Sequence, residues 1–274
     1  MKKYCNAKVN LTLDMTGLRE DGYHLLRSVM HPIPLCDILT IEKGEGIELE
    51  CNIKIIPTDD RNLVCKAAKL FFEKTGIDGG MKAFLKKNIP FGAGLGGGSA
   101  DGANTLMALN ELYNYGASNE TLKDWAVQLG ADVPFFIDNK PALAEGIGEI
   151  LSPSKALPPC QLALIKPRFS VNTKKAYELL GDYKEAERTN ALISALEKGD
   201  WQEISKAIGN GMQKRIAEEY PEINNICNEL MAKGAYAASM TGSGSAVFGL
   251  FPIDTNLTEL KERFKDYFVF ISNM

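Results

Sequence analysis

The apolar positions along the chain change period several times. Over residues 4–13, "YCNAKVNLTL", they partly alternate. This predicts a strand whose two-residue period puts Lys8 and Asn10 on the same side. Residues 16–26, "TGLREDGYHLL", read as a turn-rich excursion, and "DILTIEKGEGIELECN" reads as two strands around a Gly44/Gly46 turn. In "DDRNLVCKAAKLFFEKTG" the period becomes helical. Aspartates stand ahead of a stripe of Leu63, Ala67, Leu70 and Phe71, and Gly76 is the stop. "MKAFLKKNIP" predicts a strand ended by Pro90. A glycine-rich loop follows, then a helix from about residue 99 to 113, and then a capped helix with Leu122, Trp125, Ala126 and Leu129 on one face. After Pro134 the apolar run "FFI" is taken as a strand.

Three prolines over residues 151–159, "LSPSKALPP", mark a boundary, placed at 152/153. Beyond it come a strand, "CQLALIKP", and a helix opening at "SVNTKKAYELL". Two further helices are predicted at "NALISALEKGDWQEISKAI" and "YPEINNICNELMAKG". "YAASMTGSGSAVFGLF" then reads as strand, glycine turn and strand, with a final helix and strand behind. Strands and helices mix without strict alternation, which predicts an α+β fold in two domains, 1–152 and 153–274.

Composition narrows this little. The chain has 274 residues, 45% of them hydrophobic, enough for a sizeable core. A net charge of -4 offers no basic excess for nucleic acid, and no apolar run approaches the ~20 residues of a membrane span. The N-terminus has no continuous apolar stretch, so no signal peptide is expected. The six cysteines lack C-x-x-C spacing and read as scattered reduced thiols in the cytoplasm.

Chemistry concentrates in "PFGAGLGGGSAD", where five glycines fall within residues 92–98. The run matches G-x-G-x-x-G. A dinucleotide fold would need an acidic residue ending the next strand; Glu111 has a suitable distance but sits near a helix end with no strand after it. A Walker A loop would need G-K-[ST], and a protein kinase its V-A-I-K and H-R-D signatures; all are absent. A flexible linker is a poor reading of an apolar loop held between a strand and a helix. Anion binding remains: consecutive backbone N–H groups in a glycine turn form a concave nest, and the helix start adds unpaired donors and its dipole. A nucleotide triphosphate is the expected guest, with Ser99 placed to offer its hydroxyl to phosphate or Mg²⁺. Asp132 in "GADVPFFI" is either a helix-end residue or a desolvated base. Lys8 is either an edge lysine or a catalytic one, and "TGSGSAVFG" is either a hairpin or a second ligand loop.

Together these segments resemble the GHMP kinase superfamily of small-molecule kinases. Its second motif is a P-x-x-x-G-L-G-S/G-S-like loop and its third a glycine-rich turn near the C-terminus; here they are "PFGAGLGGGSAD" and "TGSGSAVF". "AKVNLTLDMTGLREDGYHLLRSVM", "ALAEGIGEIL" and "VNTKKAY" extend the resemblance from Ala7 to Gly249. They point to the branch that uses ATP to phosphorylate the 2-hydroxyl of a cytidine-diphosphate sugar alcohol in the non-mevalonate isoprenoid pathway. "REDGYH" separates it best from the alternative, a homoserine- or mevalonate-type kinase.

The resemblance implies a ribosomal protein S5 domain 2-like N-terminal domain for ATP and a ferredoxin-like C-terminal domain for substrate. Asp132 would be the base, with Lys8 orienting the hydroxyl. ATP would meet Ile89, Pro90, Phe91, Gly92, Ala93, Gly94, Leu95, Gly96, Gly97, Gly98 and Ser99, with Asn62 and Leu63 near adenine. Mg²⁺ would be held by phosphates, Ser99 and water. Tyr23, His24 and Tyr177 would clamp cytosine, with Asn10, Thr173, Gly242, Ser243 and Gly244 on the rest of the substrate. A monomer or weak homodimer is expected, with no nucleic-acid or membrane partner. Two readings from other classes stand beside this one: a dinucleotide-dependent oxidoreductase, and a nucleotide-binding regulator without activity.

Overall fold

In the computed structural model, which describes residues 1–180 and 188–274, the chain begins with β1 (Lys2–Asn10), β2 (Thr12–Leu18), β3 (His24–Gly44) and β4 (Ile47–Cys51). Then come α1 (Leu63–Thr75), β5 (Gly80–Lys86), α2 (Gly97–Leu112), α3 (Asn119–Ala126) and the single turn α4 (Phe135–Asp138). The remainder comprises β6 (Ala142–Glu145), β7 (Ile150–Pro153), β8 (Gln161–Lys166), α5 (Thr173–Leu180), α6 (Arg188–Lys198) and α7 (Trp201–Ala207). After these stand β9 (Gly209–Asn210), α8 (Gln213–Glu219), α9 (Glu222–Ala232), β10 (Ala237–Met240), β11 (Val247–Phe251), α10 (Thr258–Arg263) and β12 (Phe268–Asn273). No described helix is long and apolar enough to cross a membrane.

The elements gather into two units, each made of separated stretches. The first holds Met1–Ala7, Leu35–Ile89 and Gly96–Lys140; the second holds Lys8–Pro34, Pro90–Leu95 and Pro141–Met274. β1 and β3 contribute residues to both.

In the first unit β5 pairs antiparallel with the second half of β3, from Ile38↔Lys86 to Gly44↔Gly80, and parallel with β4. The turn at Gly44–Gly46 therefore joins β3 to a strand that pairs elsewhere. A parallel pair needs a crossover, and α1 supplies it, so β4–α1–β5 is a βαβ unit. Met81, Ala83 and Leu85 alternate inward from β5 and are buried, as are Leu39 and Ile41 of β3 and Ala67 and Phe71 of α1. α1 starts where Asn62 caps it and stops at Gly76 (φ 67°). The apolar run after Pro134 is the helix α4, not a strand. A proline's fixed φ suits a helix start, and Phe135, Phe136 and Ile137 are apolar because all three are buried.

In the second unit β8 lies inside a four-stranded antiparallel sheet of order β10-β11-β8-β12. With helices between β8 and β10 and between β11 and β12, this is the split βαβ arrangement. Its core joins Ala163, Ile165, Met240, Val247 and Phe251 to Ile216 of α8 and Ile223, Ile226 and Leu230 of α9. The same unit holds β2, paired with the first part of β3 and in parallel with β9, and the β6–β7 hairpin. The stretch predicted as one helix at 190–208 is two, α6 and α7, because Gly199 (φ 66°) and the cap Asp200 break it. α8 went unread.

Each unit encloses unreactive thiols. Cys5 in the first and Cys160 in the second are fully buried. Burial, reinforced by the Asp101 and Asp37 carboxylates, pushes Cys5 far up; burial alone pushes Cys160 up to about 11.

Candidate active site

Residues 90–95, in the second unit, form a turn in which Gly92 (φ 60°) and Gly94 (φ 75°) take the left-handed conformation at alternate positions. Neither has room for a side chain. A Cβ on Gly94 would stand 2.1 Å from the Thr241 carbonyl oxygen, and one on Gly92 would stand 2.9 Å from Ser170 Cβ and Oγ. The last three carbonyls of this turn are held by the rest of the unit. The Ala246 N–H donates to Ala93 O (3.2 Å) and the Lys8 N–H to Leu95 O (3.0 Å), while the Thr241 hydroxyl faces Gly94 O (3.3 Å). Among the described residues, no group accepts from the N–H groups of residues 91–95. A turn whose N–H groups are left without acceptors while its last carbonyls are held is a nest for an anion.

Lys8 and Asn10 do share a side of β1. Lys8 is 3% exposed, and its Nζ donates to Asn10 Oδ1 (2.5 Å). Asn10 is fixed at its other end as well: its Nδ2 donates to Ser28 Oγ (2.8 Å) and its backbone N–H to Thr241 Oγ1 (3.0 Å). The amide is thereby locked with its oxygen toward the ammonium. The second glycine turn, residues 241–246, joins β10 to β11. Asn210 braces it, donating from Nδ2 to Met240 O (2.9 Å) and Gly242 O (2.8 Å). Thr173, at the start of α5, meets Ser243 through their hydroxyls at 3.1 Å.

His24 and Tyr177 come together, with ring centroids 5.2 Å apart and planes 31° from parallel. Tyr23, beside His24 in the chain, is 58% exposed, with the Arg19 guanidinium 5.6 Å from its ring. Three of the residues that order this unit, Ser28, Asn210 and Thr241, were not singled out in the sequence. Thr241 alone had a cue, since it opens the second glycine motif.

In the first unit Asn62 is the N-cap of α1. Its Oδ1 accepts from the Val64 N–H (2.9 Å) and its Nδ2 donates to Pro57 O (2.7 Å), so its side chain is committed to the cap. α2 begins directly after Gly96 (φ 71°) with no side-chain cap, and half-buried Ser99 lies in its first turn. The donors of that turn and the helix dipole therefore favour an anion there. Half-buried Asp132 sits in the tight turn between α3 and α4, where the Val133 N–H donates to Gly130 O (3.1 Å). Among the described residues, no cluster of three or more His, Cys, Asp or Glu side chains is arranged to hold a metal.

A buried charge cluster underlies this region. Lys87 Nζ bonds to Asp37 and donates to Asp101 Oδ2 (2.7 Å); Asp37 Oδ1 accepts from the backbone N–H groups of Asn88 (2.6 Å) and Ile89 (2.8 Å). The lysine thus ties the end of β5 to the second turn of α2. Burial disfavours its charge, but the two carboxylates outweigh burial and raise its pKa. With one ammonium for two carboxylates, burial pushes Asp101 up to about 7 despite Lys87, and its buried Oδ1 lacks a hydrogen-bond partner. Lys87→Met, which strands both carboxylates, is expected to cost about 3–5 kcal/mol in urea denaturation. Because the folded pKa of Asp101 is raised, its contribution to stability is complete below the ordinary carboxylate range. That contribution fades as pH rises to about 7. Thermal unfolding of Asp101→Asn should lack that part of the pH slope.

Comparison with known proteins fits this geometry. Residues 62–140 match the family model for the GHMP kinases N terminal domain, and residues 192–269 match the one for the GHMP kinases C terminal, together more than half of the chain. A 4-diphosphocytidyl-2-C-methyl-D-erythritol kinase of Clostridium perfringens is 42% identical over 255 residues, covering 92% of this chain and 88% of that protein. One of Clostridium botulinum is 39% identical over 276 residues, covering 98% and 99%. A crystal structure of 4-(cytidine 5'-diphospho)-2C-methyl-D-erythritol kinase superposes with a TM-score of 0.83 at 34% identity, covering 99% of this chain and 98% of that one.

Proposed function

This chain belongs to the GHMP kinase family of small-molecule kinases, and we propose that it transfers the γ-phosphoryl group of ATP to the 2-hydroxyl of 4-diphosphocytidyl-2-C-methyl-D-erythritol. The observation that carries the ATP half is the turn at residues 90–95, whose last three carbonyls are held and whose N–H groups at 91–95 have no acceptor among the described residues. The substrate half rests on the relatives above and on the His24–Tyr177 ring pair. In this reading the enzyme works in the cytoplasm, in the non-mevalonate isoprenoid pathway.

Phosphoryl transfer asks mainly for positioning and charge stabilisation. The glycine turn cradles the phosphates. Lys8, held by Asn10, orients the acceptor hydroxyl and stabilises the charge that develops on it. Asp132 takes the hydroxyl proton, and that oxygen forms a bond to the γ-phosphorus as the bond to the β-phosphate oxygen breaks. His24 and Tyr177 receive the cytosine, the tyrosine by stacking and the histidine through a ring nitrogen, with Tyr23 closing over it. Thr173, Gly242, Ser243 and Gly244 meet the rest of the substrate, and the Asn62–Leu63 segment meets adenine. When bound, Mg²⁺ neutralises the triphosphate. Here the Ser99 hydroxyl would be one oxygen ligand, and phosphate and water oxygens would supply others.

ADP release from ATP–Mg²⁺ with 4-diphosphocytidyl-2-C-methyl-D-erythritol, homoserine, mevalonate and galactose in parallel tests the proposal. Turnover confined to the cytidyl compound is expected; turnover with homoserine or mevalonate alone would move the chain to another branch of the family. For the clamp, Tyr177→Ala is expected to raise KM for the cytidyl substrate about two- to tenfold with kcat within about twofold, as loss of one ring contact of ~0.5–1.5 kcal/mol requires.

A further inference from the structure

Lys166, the last residue of β8, is 9% exposed. Its ammonium donates to Phe169 O (2.9 Å) and Ser170 Oγ (3.1 Å), both neutral, and among the described residues no carboxylate pairs with it. Every neighbouring bond leads to the glycine turns. Phe169 O also accepts from Ser245 Oγ (2.6 Å) in the second turn. Ser170 lies so close to Gly92 that a methyl group there would collide with it. The next residue after Ser245, Ala246, donates to Ala93 O. Two neutral hydrogen bonds could be made by an uncharged side chain without the cost of burying a cation, and burial indeed lowers the lysine's pKa. A charge kept at that cost calls for a negative group, and no described residue supplies one.

We propose that Lys166 is a positioning residue of the phosphate site: it holds the Phe169–Ser170 strap against Gly92 and supplies the uncompensated positive charge that a polyphosphate on residues 90–95 neutralises. This rests on the reading of that turn as the ATP cradle. Across a poorly solvated gap a fixed charge acts at longer range than in water, so direct contact with phosphate is not required.

The test is equilibrium binding of adenosine, AMP, ADP and ATP, each with Mg²⁺, to the wild-type chain, Lys166→Met and Lys166→Arg. For Lys166→Met, ATP affinity should fall about tenfold, ADP less and AMP least, with adenosine unchanged; Lys166→Arg should restore most of the loss. If Lys166→Met does not fold, Lys166→Gln, which keeps a donor but no charge, carries the same comparison. Equal weakening of all four ligands would reduce the lysine to a structural strap and overturn the proposal, as would unchanged ATP affinity. Failure of the wild-type chain to bind ATP would overturn the kinase reading itself, a result distinct from either.

Discussion

Asp132→Asn is expected to lower kcat by about 10²–10⁴-fold while leaving the affinity for ATP and the unfolding temperature close to wild type. The substitution keeps the size and shape of the side chain and removes its ability to accept a proton. The turn that carries Asp132 is closed by the backbone bond from the Val133 N–H to Gly130 O, which the substitution leaves in place. Lys8→Ala should also cost rate. If the two groups act on one hydroxyl, the double variant should lose far less than the product of the single losses. Single-turnover phosphoryl transfer under saturating ATP reads the chemical step directly. An Asp132→Asn enzyme retaining a tenth of wild-type kcat would remove the residue from the role of base.

Gly94→Ala is expected to abolish ATP binding and to destabilise the protein by several kcal/mol. Two costs coincide at that residue. Its φ of 75° lies where an L-residue with a Cβ is strained, worth roughly 1–3 kcal/mol. The new methyl group would stand 2.1 Å from Thr241 O, a backbone atom that has no rotamer by which to retreat. Relief requires the glycine turn and the 241–246 turn to part, which breaks the Ala246–Ala93 hydrogen bond as well. Gly98→Ala is the matched control. A Cβ there meets only Leu63 Cδ1 at an ordinary 3.8 Å, and an alanine in the first turn of α2 suits the helix. Urea denaturation should separate the two, with Gly94→Ala strongly destabilised and Gly98→Ala at or above wild-type stability. Equal stability of the two variants would mean that the turns are not locked together as described.

What was legible in the sequence was mostly local. The stripe of Leu63, Ala67, Leu70 and Phe71 with its glycine stop gives α1 nearly to the residue, and the two-residue period of β1 does place Lys8 beside Asn10. The apolar run after Pro134 misled because burial on all sides erases the difference between the strand and helix periods. The Asp37–Lys87–Asp101 cluster had no local signature: its members come from β3, the end of β5 and α2, and only the folded chain brings them together. The bracing of the 241–246 turn by Asn210, thirty or more residues away, was hidden for the same reason. Lys166 was unreadable in a different way. A lysine ending a strand looks like any edge residue, and what distinguishes it is that, among the described residues, it bonds only to neutral groups, which only the folded chain discloses.

The buried thiols turn the division into two units into something that can be timed. Cys5 and Cys160 are both fully buried and both held in the unreactive protonated form, one in each unit. A thiol-specific reagent can therefore modify either only during a transient opening of the unit that encloses it. Mass-spectrometric labelling rates at the two positions give two opening free energies from one sample. Adding ATP–Mg²⁺ then reveals which unit the nucleotide tightens, and by how much, without any substitution in the protein.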